Sequence, residues 1–176
     1  VATFVDITER HLAEVALHDS RSRLAAVVAS ASDAIISTDV AGRVALFNPA
    51  AERIFGIDAA TMAGATLDRL LPGPMRSHHG AHMATFARSG TTRRDMGVGR
   101  VRGMHADGRV LDLEASISQA DVQGQTVLTA ILRDVTERVA QERALEATRG
   151  ELLQLTRRLL EQEKQTTRRL AQALHD

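Results

Sequence analysis

AIISTDVAGRVALFNPAAERIFG, running from Ala34 to Gly56, is the stretch that decides the fold. Ala34–Thr38 reads as a strand, and Asp39-Val40-Ala41-Gly42 supplies the polar and glycine residues of a hairpin turn. Val44–Asn48 is the partner strand. Pro49 then starts a short helix, because its fixed φ suits a first helical turn, and Gly56 is placed to end it.

Downstream, short helical pieces continue to Leu71, followed by a helix over Pro74–Ser89. Three longer strands are predicted at Val98–Met104, Val110–Ser118 and Thr126–Arg133, joined by turns at Ala106-Asp107-Gly108 and Asp121–Gly124. The order β-β-α-α-α-β-β-β makes an α+β domain, an antiparallel five-stranded sheet with helices on one face. In the Pro74–Ser89 helix, His79, Met83 and Phe86 share one face, with His82 beside them, and Gly90 ends the helix. Alternation in the next strand points Val98, Arg100, Arg102 and Met104 to one side. Gly97, Gly99 and Gly103 leave the other side bare, so that something can pack closely there. A helix histidine is therefore expected to face a strand arginine across a small pocket.

Composition narrows the chemistry. The 176 residues carry 22 basic and 22 acidic side chains, a balance that favours neither nucleic acid nor an anionic membrane. Without cysteine there is no disulfide and no thiolate metal site. No apolar run approaches a membrane span and no signal peptide opens the chain, which implies a cytoplasmic protein. Four Phe, no Tyr and no Trp imply an aliphatic core and exclude an aromatic cage or base-stacking surface. No nucleophile–base pair or nucleotide loop marks an independent enzyme.

An internal repeat sets the boundaries. Phe4-Val5-Asp6-Ile7-Thr8-Glu9-Arg10 returns as Leu132-Arg133-Asp134-Val135-Thr136-Glu137-Arg138. Each copy reads as a strand end and a helix start, with Asp at N-cap and Glu three residues later. No strand precedes the first copy, which is therefore expected to be the tail of a preceding module. An amphipathic helix follows to about Ala31, with Leu12, Val15, Leu17, Leu24, Val27 and Val28. Past Val135 the sequence is rich in Glu, Gln, Arg and Leu. Leu145, Leu152, Leu155 and Leu159 form one heptad seam. Leu160, Thr167, Leu170 and Leu174 continue it one residue out of phase, a stutter-like discontinuity. A lone helix cannot bury such a stripe, which points to a parallel homodimer.

The Asp39–Gly42 hairpin, Asn48-Pro49-Ala50-Ala51-Glu52-Arg53-Ile54-Phe55-Gly56, the Asp107-Gly108 turn and the closing Asp134–Arg138, in this order, resemble a PAS sensor domain. On that resemblance residues 1–10 are the tail of a preceding PAS domain, 11–31 a linker helix and 32–138 the PAS domain. Residues 139–166 are then a coiled-coil linker, and 167–176 begin a dimerisation and phosphoacceptor helix. The segment Arg168–Asp176 resembles the phosphoacceptor region of two-component sensor histidine kinases whose acceptor is followed by an acidic residue. The resemblance makes His175 the phosphoacceptor and Asp176 the general base. A cognate response regulator is the partner it implies. The ATP-binding domain of such kinases is not among these residues, so the chain alone is not expected to catalyse the transfer.

PAS domains bind haem, flavins, small metabolites or nothing. The cysteine-adduct photosensors are excluded, since there is no cysteine. The stretch from His79 to Arg100 is similar to the haem oxygen-sensing branch, where a helix histidine ligates the iron and a Gly-x-x-Arg strand supplies an arginine to bound oxygen. By matching position His79 is the iron ligand and Arg100 the distal arginine; Val98 faces the iron's other side, and Met83 and Phe86 pack on the porphyrin. His82 replaces the family's aromatic three residues after the ligand, and the loop before Gly97 is one residue longer. His78 and His82 are alternative ligands, whereas His105, His11 and His18 are expected to be solvated. The alternative is a haem-free, ligand-free PAS dimerisation module.

Overall fold

The computed structural model describes residues 8–89 and 92–173; the side chains at 8–9, 97–100, 166 and 169–173 lie outside the description. Helix α1 (Thr8–Ser30) precedes β1 (Ala34–Thr38), β2 (Val44–Phe47), α2 (Pro49–Phe55) and α3 (Ala59–Met62). A 3-10 turn, η1 (Leu67–Leu70), and α4 (Gly73–Arg88) follow. Then come β3 (Arg93–Met104), β4 (Val110–Val122), β5 (Gln125–Asp134) and α5 (Thr136–Ala173). One antiparallel sheet has the order β2-β1-β5-β4-β3. Residues 8–135 belong to one compact unit and α5 to another.

The hairpin forms as its sequence predicts. Asp39 Oδ1 accepts from Ala41 N and Arg43 N at 2.9 and 2.8 Å, and Gly42 takes φ 77°. Asn48 does what its place before Pro49 suggests and more. Its Oδ1 caps α2 at Ala51 N (3.0 Å) and accepts from Ile35 N of β1 (2.8 Å). Its Nδ2 donates to Val28 O of α1 and Asp33 O, both at 3.1 Å. One buried amide thus ties α1, β1 and α2 together. Gly56 closes α2 in the left-handed region, φ 68°, with its N–H on Glu52 O.

The core lies between the sheet and α2, α3 and η1. Ala34, Ile36, Val44, Phe47, Phe55, Met62, Leu70, Leu111, Leu113, Ala115 and Leu132 form it. It is not purely aliphatic: the rings of Phe47 and Phe55 meet with centroids 6.3 Å apart. Gly103 permits this packing, since a Cβ there would lie 2.9 Å from Phe55 Cε1 and 2.8 Å from Leu113 Cδ1. Arg133 and Asp33 clamp β5 to the start of β1 through two hydrogen bonds of 3.0 and 2.9 Å.

Several boundaries differ from expectation. β3 starts at Arg93 rather than Val98, because Arg93–Met96 pairs with Ala115–Ser118. Its polar start resembles a loop in sequence, but charge is usual on an edge strand. β4 runs on to Val122, leaving a turn at Gln123 and Gly124, both with positive φ. Asp134 ends β5 and Thr136 begins α5. The first copy of the repeat, apart from Thr8–Arg10, lies outside the described residues, as do Gly90 and the His175–Asp176 pair.

Candidate functional site

Helix α4 differs from α2: none of its sixteen residues is buried. A stripe of His79, Met83, Ala84, Phe86 and Ala87 is half-buried, while His78 and His82 are exposed. Arg76 Nε donates to Leu71 O at 3.0 Å, anchoring the first turn. Met83 reaches the β1–β2 turn, its Sδ 3.6 Å from where a Cβ on Gly42 would stand. His79, Met83 and Phe86 therefore do share one face, and of the helix's three histidines His79 is the one on it. Burial holds the His79 imidazole below its ordinary pKa, more than nearby Asp68 raises it, and His82 lowers it further. A neutral imidazole at neutral pH can act as a metal ligand.

The arginine side of the expected pocket needs a correction. Leu111 and Leu113 are core residues and pair with Gly103 and Val101, so Val101 and Gly103 face the core. Arg102 then faces away, beside Asp112 at 3.9 Å. Unbroken alternation would carry Arg100 outward along with Arg102. The alternation is broken, however: Met96 pairs with Ala115 and Val101 with Leu113, so four residues of β3 oppose Glu114 alone. This bulge sits at Gly97-Val98-Gly99-Arg100. The side chains of Val98 and Arg100 themselves lie outside the described residues.

His105 is not solvated. Its side chain is 16% exposed, its Nδ1 lies 2.9 Å from Asp107 Oδ1, and its ring fills the space beside Gly56. The Arg109 backbone N–H, and less strongly His105, hold the Asp107 carboxyl below its usual range. His11 and His18 are exposed, as expected. An open cleft of about 490 Å³ lies by His105, lined by Gly56, Ile57, Asp58, Arg69, Arg76 and Met104 among others. It includes none of His79, Met83 and Phe86. Sequence reasoning missed two polar groups of the sheet, Thr38 and Gln119. Among the described residues their Oγ1 and Oε1 atoms are buried without a hydrogen-bond partner. Their only signal was polarity at core-facing strand positions.

The PAS fold family model matches residues 22–135. The chain belongs to the PAS family. It is 31% identical to the sensor protein FixL of Bradyrhizobium diazoefficiens over 88% of its length and 30% of that protein. An uncharacterized protein of Azorhizobium caulinodans is 28% identical over 69% of the chain and 17% of its own length. The chain thus spans less than a third of these curated relatives. Among solved structures, the PAS domain of an HTR-like protein from Haloarcula marismortui is similar with TM-score 0.58 and 20% identity, covering 70% of this chain and 98% of that one. A PAS domain from a two-component sensor histidine kinase gives TM-score 0.56 and 13% identity, covering 66% and 97%. These two share the fold. Among the described residues no helix is long and apolar enough to cross a membrane, and no cluster of three or more His, Asp or Glu forms a metal site.

Proposed function

We propose that the chain is the sensory and transmitting part of a cytoplasmic sensor histidine kinase whose PAS domain holds haem through His79. The observation that carries this reading is the inward, half-buried His79 with its lowered pKa, on one stripe with Met83 and Phe86. The residues fit the group: a neutral imidazole to ligate iron and two apolar side chains to pack on a porphyrin. Haem would supply an iron centre able to take a diatomic gas. Arg100, a cation in the β3 bulge, would stabilise partial negative charge on that gas, with Val98 beside it.

Transmission follows from α5. Leu145, Leu152, Leu155 and Leu159 are all more than half exposed on this 38-residue helix. So are Leu12, Leu17, Leu24 and Val27 of α1. A parallel homodimer would bury these rows, each leucine contributing roughly 1.5–3 kcal/mol when fully covered. The relay would end at His175 as phosphoacceptor and Asp176 as base, and pass phosphate to a response regulator. Light scattering should report twice 19.0 kDa, and a monomer at micromolar concentration would remove the relay.

Haemin titration tests the sensor reading. The parent should give a ligated Soret band, which His79→Ala abolishes or shifts while His78→Ala and His105→Ala leave it alone. Loss of the band in His82→Ala instead would move the ligand one turn along α4. A parent that takes up no haemin favours the haem-free dimerisation module, which the same leucine rows would serve.

A further inference from the structure

The cleft beside His105 gathers three charged side chains that have no ionic partner among the described residues: Asp58, Arg69 and Arg76. Arg69 of η1 makes no hydrogen bond there either. Arg76 spends only its Nε, on Leu71 O at 3.0 Å. That bond fixes the guanidinium at the cleft and leaves both Nη groups unengaged. Asp58 stands at the N-cap of α3, where a carboxylate ordinarily accepts a backbone N–H. It makes no such bond, since Glu52 Oε1 accepts from Ala59 N at 2.6 Å instead. The Asp58 carboxylate is therefore left lining the cleft.

The walls are held in place. Ala106 N donates to Phe55 O at 2.8 Å, docking the β3–β4 turn on the end of α2, and the His105 ring packs against Gly56. Ile57 and Met104, both half-buried, add apolar surface. At about 490 Å³ the cleft is the size of a small-molecule site and larger than one inorganic ion needs. Its free side chains also say what would fill it. Arginine only donates hydrogen bonds and an ionised carboxylate only accepts them. Two guanidinium groups call for an oxyanion, which they grip by paired, charge-assisted hydrogen bonds. The carboxylate calls for donors, and neighbouring hydroxyls can serve both of its oxygens. The surplus of cations favours a phosphoryl group, with close to two negative charges, over a single carboxylate.

We propose that this cleft binds a small sugar phosphate, its phosphoryl group held by Arg69 and Arg76 and its hydroxyls by Asp58. The cleft includes none of the His79 stripe, so the inference is independent of haem and of iron ligation.

Calorimetric titration of the whole chain with ribose 5-phosphate, inorganic phosphate and ribose tests it. Ribose 5-phosphate should bind, inorganic phosphate more weakly, and ribose not measurably. Arg69→Gln should weaken ribose 5-phosphate roughly tenfold, the low end for a hydrogen bond to a charged group because the cleft is open. Its melting temperature should match the parent's, since Arg69 engages nothing else among the described residues. Arg76→Gln should weaken binding too, but it also removes the bond to Leu71, so the Arg69 variant decides. Asp58→Ala should weaken ribose 5-phosphate yet leave inorganic phosphate bound as tightly or more so, because it removes both the acceptor for the hydroxyls and a charge that repels phosphate. His79→Ala should bind ribose 5-phosphate as the parent does. No binding of ribose 5-phosphate, or equal binding by the parent and Arg69→Gln, would overturn the proposal. So would a tightening of both phosphates in Asp58→Ala, which would make the cleft a plain anion site. Binding of ribose 5-phosphate without a ligated haemin Soret band would refute the haem reading and leave this one standing.

Discussion

Helices α2 and α4 come from neighbouring stretches and serve opposite ends. In seven residues α2 buries Ala50, Ala51 and Phe55, is capped at both ends, and shares Asn48 with α1 and β1. In sixteen residues α4 buries none. The difference separates a part that fixes the fold from a part held by little burial. Local stability follows burial, so α4 can be shifted at less cost than α2.

The largest test of this contrast is truncation on each helix. Phe55→Ala should cost roughly 3–5 kcal/mol, since the side chain is fully buried against Phe47 and Gly103. Met83→Ala, half-buried, should cost about 1 kcal/mol or less. Chemical denaturation of the ligand-free protein measures both. Equal losses would show that α4 is as firmly packed as α2.

A smaller effect sharpens the α2 side. Gly56→Ala meets two obstacles: φ of 68°, and a Cβ 2.5 Å from His105 Nε2. The backbone part should cost about 1–2 kcal/mol and the clash about 1–3 kcal/mol more. Adding His105→Ala should relieve the clash alone, so the double variant should be more stable than the sum of the singles predicts. Simple additivity would mean that the ring moves aside freely.

Most of the fold was legible because its signals are local. Asp39–Gly42, Asn48-Pro49 and Gly56 each dictate backbone geometry through their own side chains or lack of them, and β1 came out with its predicted ends. What escaped depends on partners distant in sequence. The start of β3 looks like a loop until Arg93–Met96 finds Ala115–Ser118. His105 reads as a surface residue until Gly56 leaves room for it. The bulge opposite Glu114 is invisible to an alternation rule that assumes a continuous ladder. The candidate site divides the same way: helical spacing grouped His79 with Met83 and Phe86, but only packing distinguished His79 from His78 and His82. Thr38 and Gln119, 81 positions apart by number, meet in one row only through register.

The smallest predicted effect is a pH dependence belonging to α4. The His79 pKa is lowered in the folded protein, chiefly by burial, so the neutral form is favoured there. In the unfolded chain the imidazole has its ordinary pKa near 6.5. As pH falls through that value, the unfolded state binds the proton first, and ligand-free stability drops until pH passes below the folded pKa. Asp68 opposes the shift and His82 adds to it, so removing either charge should move the window in the corresponding direction. His79→Gln should flatten the stability profile over this range. Denaturant melts at pH 7.5 and pH 5.5 decide the matter. A profile unchanged by His79→Gln would mean that α4 opens enough to hydrate the ring, and that only a bound ligand would hold it inward.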